Sequence, residues 1–65
     1  MDLSKRDELM VAQALLLAAA LLGRLPNELR PESNINDMRA LLSKLPPYLV
    51  SMAAHDAERW DQLID

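Results

Sequence analysis

Residues 9–22, Leu-Met-Val-Ala-Gln-Ala-Leu-Leu-Leu-Ala-Ala-Ala-Leu-Leu, hold one polar side chain, Gln13, in fourteen positions. A helix on the outside of a soluble domain carries one apolar stripe; a helix that is apolar nearly all round needs cover on every side. Only 51 other residues are present to supply it. This run therefore decides the fold class and poses the functional question, which is what lies against its far side.

The run reads as most of a helix spanning about residues 4–23. Ser4 is placed to cap the amide of Asp7, and Asp7 and Glu8 suit the positive end of the helix. Gly23, the single glycine, is expected to end the helix in a left-handed C-cap conformation. Leu25-Pro26 then opposes continuation, because the residue before a proline is driven out of the helical region.

Residues 24–33 form a connector punctuated by Pro26 and Pro31, with room for a helical turn beginning at Pro26. A second helix is expected over 34–45, with Asn34 or Ser33 as N-cap and an apolar stripe of Ile35, Met38, Leu42 and Leu45. Pro46-Pro47 ends or sharply kinks it. A third helix over 47–63 has Pro47 near its start and Leu49, Val50, Met52, Ala53, Ala57, Trp60, Leu63 and Ile64 on one side. Strand alternation is missing and no internal repeat is read. The expected fold is all-α, a single domain over residues 1–65: a helical hairpin with a long first helix and a second arm kinked or broken at Pro46-Pro47.

Composition narrows the function classes. A chain of this length hides only about 60% of its unfolded surface, and small scaffolds add disulfides, a metal or oligomerisation. There is no cysteine and one histidine, so disulfides and Cys- or His-rich metal sites are excluded. Oligomerisation remains. The net charge is −3 and the seven Lys and Arg are scattered, unlike the clustered cations that neutralise nucleic-acid phosphates. Fourteen apolar residues reach about 21 Å, short of a membrane span, and the flank MDLSKRDE mixes acids with bases. No nucleic acid and no membrane partner is expected, and the cytoplasm is the expected compartment.

On the first helix, Met10, Val11, Leu15, Leu17, Leu21 and Leu22 share a broad arc with Ala14 and Ala18, the expected seat for the rest of the chain. The other arc carries Leu9, Ala12, Leu16, Ala19, Ala20 and Gly23, small enough to admit a second copy packed antiparallel across a two-fold axis. A homodimer through those six residues is the expectation. Its competitor is an intrachain core with alanines present for helix propensity.

No catalytic constellation is present. His55 and Asp56 are adjacent and diverge by about 100° on a helix, so they form no base–orienter pair. Ser4, Ser33, Ser43 and Ser51 lack an activating neighbour, and one glycine makes no phosphate loop. No enzyme, cofactor or metal site is expected. Candidate partner contacts lie on the third helix: Tyr48, Met52, Asp56, Arg59 and Trp60. Tyr, Trp and Arg dominate interface energetics. Core packing competes for Trp60, whereas Tyr48 is offset from the main apolar face. Asp56 has two readings, an acidic anchor for a basic partner or an edge residue paired with Arg59 or Arg39.

Short, acidic, cysteine-free helical chains resemble accessory proteins encoded by bacteriophages and mobile elements. Some of these are helical-hairpin anti-activators that sequester a host transcription factor. The resemblance is architectural, rests on no motif and assigns no residue. It implies a small module that inhibits a larger protein target, such as a transcription factor. The alternatives are a subunit or assembly factor of a larger complex and a small DNA-binding regulator. The acidic third helix opposes the latter.

Overall fold

The computed structural model describes residues 3–64. It contains three helices, α1 (Lys5–Leu22), α2 (Glu32–Leu42) and α3 (Pro47–Leu63), and no strand among the described residues. The N-terminus of α1 forms as its sequence requires: the Ser4 Oγ accepts from the Asp7 amide at 3.2 Å, with Ser4 itself extended at φ −66°, ψ 161°. Its other end differs from expectation. Gly23 has φ −64°, ψ −16°, ordinary right-handed backbone, so no left-handed cap is made.

The same corner, closed by the same right-handed turn, occurs twice along the chain. Ala20–Leu29, ALLGRLPNEL, and Ala40–Leu49, ALLSKLPPYL, match at six of ten positions, and Arg24/Lys44 and Gly23/Ser43 are near equivalents. The reading of no internal repeat is corrected on this point. Both copies close a helix in the same way. Gly23 and Ser43 donate to the carbonyls of Ala19 and Arg39, Arg24 and Lys44 to those of Leu21 and Leu41, and Leu25 and Leu45 to those of Leu22 and Leu42. Ser43 takes φ −67°, ψ −14°, within a few degrees of Gly23. Both then start a new turn from the proline, with Leu29 and Leu49 donating to Pro26 and Pro46.

The copies diverge five residues after that proline. In the first, Pro31 has no amide to extend the turn, so helical structure lapses after Leu29. Arg30 then closes the connector, donating through Nε and Nη2 to the Leu25 carbonyl at 3.3 and 3.0 Å. In the second copy Ser51 occupies the equivalent place and α3 runs on. For α2 this means a start at Glu32 after Pro31, earlier than an Asn34 or Ser33 cap would give. Its end is at Leu42 rather than Leu45.

Pairings along their lengths show that α3 runs parallel to α1. Leu9 lies beside Leu49 and Met52, Gln13 bonds Asp56, Leu16 and Ala20 lie beside Ala57 and Asp61, and Arg24 is salt-bridged to Asp61. Arg24 also donates through Nη1 to the Ile64 carbonyl at 3.1 Å. The Pro46-Pro47 corner is thus a full helix break that sends the chain back along α1, so of the two expected forms of the second arm, kinked or broken, the chain takes the broken one. α1 packs mainly on α3 and secondarily on α2, while α2 and α3 barely meet.

The core is small and rich in alanine: Ala12, Ala19, Ile35, Leu42, Leu45, Leu49, Ala53 and Ala57. Ala12 and Ala53 are both fully covered and sit in one cluster with Leu42, Leu45 and Leu49. Alanine facing alanine lets the α1 and α3 backbones come close. The two arcs of α1 are thus rotated rather than kept as expected: Leu15 of the expected seat does pack on the core and Val11 and Leu22 are half-buried, while Ala20 and Gly23 of the other arc stay exposed. Ala12 and Ala19, assigned to a dimer contact, are buried by their own chain, and Leu9 and Leu16 are half-buried against the core. Meanwhile Met10 and Ala14, from the supposed seat, are exposed, and Leu17, Ala18 and Leu21 are only half-covered. Of the anticipated α2 stripe, Ile35, Leu42 and Leu45 are buried and Met38 half-buried.

Candidate protein-docking site

Because α1 and α3 are parallel, both begin at the same end of the molecule. Helix N-termini carry partial positive charge from unpaired amides. Here the α1 N-terminus, with Lys5 and Arg6, stands beside that of α3, where Pro46 and Pro47 start the helix and Leu49 and Val50 each donate to the Pro46 carbonyl at 3.1 Å.

Between them lies a concavity of about 290 Å³ lined by Lys5, Arg6, Leu9, Tyr48, Leu49 and Met52. Leu49 is buried and Leu9 half-buried, making a fixed apolar floor. Tyr48 and Met52, one turn apart on α3, are each 55% exposed and form one wall. Two cations and no anion line it. Asp7, on the same first turn of α1, points away from the side shared by Lys5 and Leu9, and Glu8, three residues from Lys5, flanks that side without lining the hollow. The site presents an apolar, polarisable hollow with a positive rim.

The sequence-derived contact residues divide accordingly. Tyr48 and Met52 come together here, and Leu9, assigned to self-association, joins them. Lys5, Arg6 and Leu49 were not anticipated; only the parallel course of α1 and α3 brings them in, and no local pattern announces that course. Asp56 is not a free anchor. It is half-buried and accepts from Gln13 Nε2 at 2.9 Å and Arg59 Nη2 at 3.5 Å, which matches the edge-residue reading. Arg59 is exposed beside His55, Glu58 and Gln62 in a shallow polar groove. Trp60 is half-buried on the side of α3 that carries Leu49, Ala53 and Ala57. Leu16 and Ala20 lie against Ala54 and Ala57 of the same chain, and Gly23 is exposed at the far end of α1.

Among the described residues, no three His, Asp or Glu side chains gather closely enough to hold a metal, and no helix is long and apolar enough to cross a membrane. No buried side-chain nitrogen or oxygen among them lacks a hydrogen-bond partner. No family model, curated protein or solved structure matches this chain.

Proposed function

We propose that this chain is a non-enzymatic protein-binding module that docks an apolar segment with acidic flanks on a larger protein, and modulates that protein by occupying the segment. A transcription regulator with an acidic, hydrophobic motif is the kind of target that fits. The reading is carried by one observation, the hollow at the paired N-termini of α1 and α3, where Tyr48 and Met52 stand exposed over Leu49 beneath Lys5 and Arg6.

The chemistry supports it in two ways. Exposed tyrosine over a buried apolar floor buries large area with few rotatable bonds to order, and the flexible thioether of methionine adapts to irregular shapes. The two cations and two helix ends select an acidic partner and speed its approach, although the chain as a whole is acidic. Affinity capture from the native cell tests the proposal. The wild-type chain is expected to retain a partner that both Tyr48→Ala and the Lys5→Glu/Arg6→Glu double variant release. A partner held equally well by all three chains would exclude this surface.

A further inference from the structure

We propose that the outward face of α1 pairs with the same face of a second copy of this chain, the two helices antiparallel. That face is Met10, Ala14, Leu17 and Leu21, spaced by four, three and four residues. This is the heptad spacing of a two-helix seam. None of the four is buried by its own chain, and Met10 is 54% exposed. In sequence spacing the alternation takes in Asp7, on the first turn of α1, and Arg24, in the turn two residues past its end.

Those two charges identify the occupant and its direction. In an antiparallel pair, Ala14 faces Leu17 of the other copy, Met10 faces Leu21, and Asp7 faces Arg24, so every layer is matched. In a parallel pair each position meets itself, placing Asp7 on Asp7 and Arg24 on Arg24. Asp7 is exposed; the Arg24 guanidinium bonds the Asp61 carboxylate and the carbonyls of Asp61 and Ile64 at the end of α3, yet its side chain remains 47% exposed. Guanidinium has five N–H donors, enough for a second carboxylate.

Surface bookkeeping agrees. The chain exposes 4672 Å², against about 4,200 Å² for a folded monomer of its 7.3 kDa. Its radius of gyration is 12.0 Å, against about 10.7 Å for a compact domain of this length. Both values exceed those of a compact monomer, in keeping with a flat body of 36 × 26 × 15 Å that has unshielded surface.

Sedimentation equilibrium at micromolar concentration is expected to give twice the chain mass. Met10→Glu and Ala14→Glu, both at exposed positions, are expected to give the chain mass with helicity retained by circular dichroism. The chain has no cysteine, which allows a test of direction. A mixture of Met10→Cys and Leu21→Cys chains is expected to form a disulfide-linked dimer on mild oxidation, while Met10→Cys alone is not. A native chain at monomer mass, a Met10→Glu chain still dimeric, or self-linking of Met10→Cys would each overturn the proposal. Tyr48→Ala is expected to leave the dimer mass unchanged, so the outcome is separable from that of the docking site.

Discussion

Gln13 donates to Asp56 at 2.9 Å across the α1–α3 seam. These are the one polar residue of the apolar run and the one acid projecting toward the apolar side of α3, 43 positions apart, and each satisfies the other. The bond is partly buried, so it fixes the axial register of two helices whose alanine surfaces would otherwise slide.

Truncating Asp56 is therefore expected to act on stability rather than on partner capture. Asp56→Ala leaves the Gln13 amide without its acceptor and is expected to cost about 1–2 kcal/mol in urea denaturation. Asp56→Asn keeps an acceptor and is expected to cost less. A Gln13→Ala/Asp56→Ala double-mutant cycle should return a coupling of about 1 kcal/mol; additive losses would show that the bond contributes nothing.

Ala53 is fully covered at the close approach of α3 to α1. Ala53→Leu forces extra methylenes between two backbones and is expected to cost about 1–3 kcal/mol, with a lower thermal midpoint. At this chain length each kcal/mol moves the midpoint by about 4–8 °C. An unchanged midpoint would mean that the seam is loose.

Gly23 has the backbone angles of Ser43 in the duplicated corner, so glycine is not required there. A Cβ at Gly23 meets the Ala19 carbonyl oxygen at 3.2 Å, a tight contact that offsets part of the gain. Gly23→Ser is expected to be neutral or stabilising by up to about 0.5 kcal/mol, by stiffening the unfolded chain. A clear loss of stability would show that the Ala19 contact dominates.

Arg30 holds the α1–α2 connector through two bonds to the Leu25 carbonyl. Arg30→Met keeps the stem and removes the donors, and is expected to cost about 1–2 kcal/mol. Glu32 also meets Arg30 at 3.3 Å, but with 60% of its side chain exposed that ion pair adds little, so Glu32→Gln should be nearly silent.

At the docking site, Tyr48→Ala is expected to leave the thermal midpoint within about 2 °C, since an exposed side chain carries little of the folding energy, while abolishing partner capture. A large drop in midpoint would identify Tyr48 as a structural residue.

Much of this protein was legible along the chain. The Ser4 cap, the Pro47 start of α3, the stripe of Ile35, Leu42 and Leu45 and the helical content all follow from local rules that need no knowledge of distant residues. Sequence periodicity also showed that Ala12 and Ala19 share a face fit for close helix packing. What it left open was which helix packs there. A spacing of 100° per residue reports only who lies beside whom on one rod. The partner of that face was decided by the Pro46-Pro47 break, which returned α3 parallel to α1, and by Ala53 and Ala57, which gave α3 an equally low profile. The same packing turned Met10, Ala14, Leu17 and Leu21 outward and joined Lys5 and Arg6 to Tyr48 and Met52. Both candidate surfaces are thus products of helix direction, a long-range property that the local pattern does not encode.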